Sequence, residues 1–319
     1  MLALATGCVG QRKKAPLPVP TSTPRAEAPR LPPPPIEQAP EPARPTGEPP
    51  LTLSQRKPIY GLPGFGPHEF TAEGQRLRYR LFEPAPLEPG RLYPLVLYLH
   101  SASGSGSDNI SQLNGSRSWG PAFWSSRDVQ QRHPAFVLAP QADPRYADTW
   151  VRQWRPAAAG GPLEPLELTL LLLDQLEARA PIDPDRIYIT GYSMGGFGAW
   201  LAISRHPRRF AAAIPIAGGG DPTFVASTEA AVWAFHGAAD PVVPVRRSRE
   251  MVRALRSAGR PVRYTEYPDA SHNLFWQVYE EEGLADWLFA QRRASSFRAA
   301  TVRERPTPPP SEPRPFRPR

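Results

Sequence analysis

The chain has 319 residues, a formal net charge of +8, 44 prolines and a single cysteine. One cysteine excludes a disulfide framework and a cysteine metal cluster, and no run approaches the roughly 18 apolar residues of a transmembrane helix. Residues 291–319 carry eight arginines against Glu304 and Glu312, so most of the basic surplus sits in a Pro/Arg-rich tail without a reading motif, which argues against nucleic-acid recognition.

Proline sets the domain organisation. Fourteen of the 44 lie in residues 1–50 and seven in residues 291–319, segments that bury too little surface to offset their ordering entropy. A Pro-rich linker is therefore expected over residues 1–57 and a disordered tail over 292–319. Between them, residues 58–291 make one domain, within the size range of single α/β domains. At the start, Leu4-Ala5-Thr6-Gly7-Cys8 resembles the end of a bacterial lipoprotein signal, where small residues precede a cysteine that becomes lipidated. That resemblance implies export and membrane anchoring through Cys8 on a proline-rich tether. The alternative is an ordinary N-terminus and a cytoplasmic protein.

Along the domain, residues 77–82 alternate at period two, as expected of an outer strand. Residues 93–100 form a near-continuous apolar run, the pattern of a strand buried on both faces. A loop of small residues follows, from Ser101 to Asn109. Further strands are predicted at 135–140, 187–190, 214–218, 232–237 and 262–267. Helices are predicted at 164–179, at 246–257 and between about 276 and 290. This alternation predicts an α/β fold with a mostly parallel central sheet and helices on both faces. Reactive groups in such sheets gather beyond the strands' carboxyl ends. The two longest excursions from the sheet, 101–134 and 141–163, carry Trp119, Trp124, Trp150 and Trp154. These rings either line a substrate rim or pack the excursions onto the body.

The strand at 187–190 runs into Gly191-Tyr192-Ser193-Met194-Gly195-Gly196 and then into helix-like spacing through Phe197, Trp200, Leu201 and Ile203. A serine on a sharp strand-to-helix turn exposes a nucleophilic oxygen, with glycines where side chains would collide. Gly-x-Ser-x-Gly alone arises by chance in about one chain in ten of this length, so its partners decide. Asp240 lies just past the strand at 232–237, in His236-Gly237-Ala238-Ala239-Asp240-Pro241-Val242-Val243-Pro244. His272 lies just past the strand at 262–267, in Tyr267-Pro268-Asp269-Ala270-Ser271-His272-Asn273. Asp221 and Asp269 are rival acids. His100 and His236 end strands and read as loop-orienting or core residues.

With Ser193, Asp240 and His272 in that order, the domain resembles the α/β-hydrolase superfamily. The likeness is to the bacterial branch of phospholipase/carboxylesterases, dienelactone hydrolases and "predicted peptidase" esterases. The elbow, the segment from His236 to Pro244 and Gly218-Gly219-Gly220-Asp221 carry it. It implies the α/β-hydrolase fold and cleavage of a small-molecule carboxylic ester through an acyl-enzyme, with no cofactor or metal. A serine hydroxyl needs a base to take its proton. His272 serves as that base and Asp240 orients the ring. The oxyanion falls to the Met194 N–H and to a second donor at Ser101 or Ala102. Relatives commonly have His-Gly where this chain has His100-Ser101. Two other readings are a serine peptidase of the same fold and a catalytically degenerate, surface-tethered binding protein.

Overall fold

Tyr93–Leu99 consists of seven apolar residues and buries every one of them, which requires cover on both faces. The computed structural model describes residues 62–114, 119–143, 150 and 163–293. All lie within Pro50–Arg319, one of two units into which the chain divides. The expected linker, Cys8, Trp154 and most of the expected tail fall outside the described residues.

The strands are Phe65–Ala72 (β1), Gln75–Phe82 (β2), Tyr93–Leu99 (β3), Phe136–Gln141 (β4), Ile182–Tyr192 (β5), Ala212–Ile216 (β6), Ala231–Gly237 (β7) and Val262–Tyr267 (β8). They form one eight-stranded sheet in the order β1-β2-β4-β3-β5-β6-β7-β8. β2 pairs antiparallel with both β1 and β4, and every other pairing is parallel. The helices are Ser111–Asn114 (α1), Trp119–Trp124 (α2), Arg127–Arg132 (α3), Pro165–Arg179 (α4), Met194–Arg205 (α5), Pro222–Val225 (α6), Arg246–Ser257 (α7), Phe275–Tyr279 (α8) and Leu284–Ala290 (α9).

Period-two alternation along β3 sends Leu95, Leu97 and Leu99 to one face and Val96 and Tyr98 to the other. The first face packs against α4, α5 and α7 through Leu172, Trp200 and Met251. The second packs against α2, α3, α8 and α9 through Trp124, Val129, Val278 and Leu288. Burying a side chain of this size is worth about 1.5–3 kcal/mol, so the two layers together hold the sheet between them. This is the α/β-hydrolase fold. Among the described residues no helix is long and apolar enough to cross a membrane.

Three expectations are corrected. β2 is not the outermost strand: β1 covers it through a turn in which Glu73 and Gly74 both have positive φ, the conformation of tight hairpin loops. β5 runs from Ile182 to Tyr192, well before the four residues expected. The last helix is two, because Gly283 at φ +71 breaks the chain between α8 and α9.

Candidate active site

β5 ends at Tyr192 and α5 begins at Met194, so Ser193 alone makes the turn. Its backbone sits at φ 57, ψ −116, a region that costs a non-glycine residue about 1–3 kcal/mol. Two hydrogen bonds hold it there. The Ser193 N–H donates to the Ile216 carbonyl at 2.9 Å, and the Phe197 N–H donates to the Ser193 carbonyl at 3.0 Å. Gly195 permits the close approach: a Cβ on it would lie 1.9 Å from the Leu99 carbonyl oxygen. Gly195→Ala is therefore expected to cost about 3 kcal/mol or more, because backbone must move. A wild-type denaturation midpoint for this variant would refute that account.

Asp240 follows β7 and its side chain is fully buried. Its Oδ1 accepts from the N–H groups of Val242 and Val243, each at 2.8 Å. Its Oδ2 lies 2.7 Å from His272 Nδ1, and His272 Nε2 lies 2.9 Å from Ser193 Oγ. The fold thus brings together three residues separated by up to 79 positions. Chemically, the line can draw a proton from the serine and hold an imidazolium against a carboxylate. Asp221 is elsewhere engaged, with its Oδ1 accepting from the Thr223 N–H at 2.9 Å at the start of α6.

Tyr192 was not singled out by the sequence, yet it supports His272. Its hydroxyl donates to the His272 carbonyl at 2.9 Å, and the two rings lie 5.1 Å apart. Burial, with Asp240 nearby, pushes its hydroxyl well above the usual phenol value, so it stays a donor. An aromatic residue directly before the elbow serine was the available signal.

Met194 opens α5, so its N–H lies at the positive end of that helix. Ser101 is buried at the end of β3, and Ala102 begins a short 3₁₀ turn, Ala102–Gly104. His100 shapes this loop. Its Nδ1–H donates to the Ser101 carbonyl at 2.8 Å, and its Nε2 accepts from the Ala142 N–H at 3.0 Å. The amide donor fixes the tautomer. Asp108 anchors the far end of the loop, accepting from Ile110 and Ser111 N–H groups and from Gln141. Burial opposes its ionisation, but those hydrogen bonds with the Ser111 hydroxyl bring it well below the usual carboxylate range.

Burial pulls His100 down to about 4, against the opposing hydrogen bond to Ser101. The unfolded chain binds a proton near pH 6.5 that the folded chain refuses, so this stability is complete above pH 6.5. It is lost as pH falls towards 4, by about 3 kcal/mol. His100→Gln keeps an acceptor and a donor without titrating, and is expected to flatten the slope of unfolding free energy between pH 6.5 and 4. Parallel slopes for the two proteins would contradict this.

The tryptophans divide. Trp124 and Trp150 are fully buried and so belong to the core, not to a substrate rim. Trp150 donates its indole N–H to the His100 carbonyl at 3.0 Å and packs 4.9 Å from that ring. Trp119 is half-buried, and Trp154 lies outside the described residues. Trp276, four residues after His272, is an exposed ring that the sequence reading did not put forward.

Comparison with known proteins gives a consistent picture. The family model described as "Dienelactone hydrolase family" matches residues 138–296. A crystal structure of a thermostable esterase superposes with a TM-score of 0.66 at 39% identity, covering 72% of this chain and 64% of that one. Poly(3-hydroxyalkanoate) depolymerase C of Paucimonas lemoignei is 44% identical over 48 residues, 15% of this chain and 12% of that protein. Dipeptidyl-peptidase 5 of Porphyromonas gingivalis is 26% identical over 153 residues, 46% of this chain and 20% of that protein. The chain therefore spans a fifth or less of these two curated relatives and under two thirds of the esterase.

Proposed function

This chain belongs to the α/β-hydrolase superfamily, and on that premise we propose that it is a serine esterase working through an acyl-enzyme. The observation that carries this reading is the unbroken line of contacts from Ser193 Oγ through His272 to Asp240, at 2.9 and 2.7 Å. Ser193 Oγ attacks the acyl carbon as its proton passes to His272 Nε2. Negative charge on the former carbonyl oxygen is met by the Met194 N–H and by a donor at Ser101 or Ala102. Losing one such donor costs about 100- to 1000-fold in rate. The protonated His272 then gives its proton to the departing alcohol. Water repeats the attack with His272 as base, releasing the acid and restoring Ser193. Each step uses only side chains, backbone amides and water.

Ester cleavage is favoured over amide cleavage by the 39% identity to a thermostable esterase. The partial match to dipeptidyl-peptidase 5 keeps peptide cleavage as the second reading. The two are separated by turnover of aryl, acetyl-sugar, feruloyl and lipid esters beside aminoacyl amides. A fluorophosphonate probe is expected to label Ser193 in the same protein. Absence of labelling would reject both in favour of a binding protein on this fold.

A further inference from the structure

His236 stands in a second buried line of contacts that meets the first at Asp240. Its Nε2 lies 2.9 Å from the Val243 carbonyl oxygen and 3.3 Å from Asp240 Oδ2, the oxygen that also faces His272. Its Nδ1 lies 2.7 Å from Ser248 Oγ on α7, and that oxygen lies 2.9 Å from the Gly218 carbonyl. The side chains of His236 and Asp240 have no exposed surface, and Ser248 is fully buried.

The protons can be assigned. Nε2 faces only accepting oxygens, so it carries a hydrogen. Burial pulls His236 below the usual imidazole value, so the ring is neutral and Nδ1 is an acceptor. The Ser248 hydroxyl donates its one hydrogen to the Gly218 carbonyl at 2.9 Å and lies 2.7 Å from Nδ1. A neutral His236 leaves the full charge of Asp240 available to His272.

Asp240 needs such a neighbour. The amides of Val242 and Val243 fix Oδ1, but torsion about the last bond of an aspartate is soft. A contact at Oδ2 is what sets the plane of the carboxylate. His272 Nδ1 and His236 Nε2 both meet that oxygen, at 2.7 and 3.3 Å.

We propose that His236 is a positioning residue that holds the Asp240 carboxylate, through its Nε2–H and the Ser248 hydroxyl behind it, in the plane where His272 meets it. This rests on the reading of Asp240 as the orienting acid. The charged and titratable groups around His236 are Asp240 and His272, Glu266 opposite it on β8 with its partner Arg249, and Tyr192 near Asp240.

The test uses the full chain and p-nitrophenyl acetate, with His236→Leu, His236→Gln and Ser248→Ala compared with Asp240→Asn. His236→Leu is expected to lower kcat about 100-fold with KM within about twofold of wild type. The acid limb of its kcat/KM profile should move to lower pH, because a displaced carboxylate supports the imidazolium less. His236→Gln, which restores an N–H donor, is expected to recover about tenfold of that loss. Ser248→Ala, a smaller change, is expected to lower kcat about threefold with the limb moving the same way. A folded His236→Leu with wild-type kcat and pH profile overturns the proposal, as does a glutamine no better than leucine. If His236→Leu fails to fold, an unchanged kcat and profile in Ser248→Ala overturns it instead. Should Asp240→Asn itself keep wild-type activity, the underlying triad reading fails and not merely the role of His236.

Discussion

Ser193→Ala is expected to lower kcat on a short activated ester by about 10⁴- to 10⁶-fold, with the denaturation midpoint unchanged. Activity falls because the variant has no atom to join to the acyl carbon, while the oxyanion donors and the binding surface persist. Stability holds because alanine meets the same unfavourable backbone at φ 57 that serine does. Ser193→Gly separates the two effects. It is equally inactive, yet should be more stable, since only glycine occupies that region without strain. Full activity in Ser193→Ala would end the assignment. A Ser193→Gly protein no more stable than Ser193→Ala would show that the elbow carries no strain.

Asp240→Asn is expected to cost about 10⁴-fold in kcat, and the geometry gives the reason. Val242 and Val243 present two N–H donors to Oδ1, so the asparagine must place its carbonyl oxygen there. Its NH₂ group then faces His272 Nδ1. That ring can accept the amide proton only by carrying its own hydrogen on Nε2, where it points at Ser193 Oγ and cannot act as a base. Asp221→Asn is the contrast. Its Oδ1 caps α6 through Thr223, and an asparagine caps nearly as well, so kcat should stay within about twofold of wild type. Loss of activity in Asp221→Asn with Asp240→Asn unaffected would reverse the choice of acid.

Much of this was legible in the chain. β3 and α7 follow from an apolar run and from spacing, because buried strands and amphipathic helices write their period locally. Ser193, Asp240 and His272 were legible for another reason: a parallel sheet gathers its strand ends on one rim. β1 escaped because Gly66 and Pro67 interrupt its pattern, which a strand at the sheet's edge tolerates. The sequence left the tryptophans open between rim and core because their partners are distant in sequence. Trp124 packs against Tyr279 and Phe289, which local pattern does not link to residue 124. The line from Gly218 through Ser248 and His236 to Asp240 likewise exists only once β7 and α7 have packed.

The elbow is wedged between neighbours. Ser193 hangs from Ile216 of β6, and Gly195 rests on Leu99 of β3, the strands on either side of β5. No hinge lies between the reacting oxygen and the middle of the sheet. Local opening starts at frayed ends and thinly packed loops, and reaches central strands last. Ser193 should therefore keep its place until the middle of the sheet itself opens. Loops above the rim are under no such bond, and can lengthen or change while the serine keeps its place.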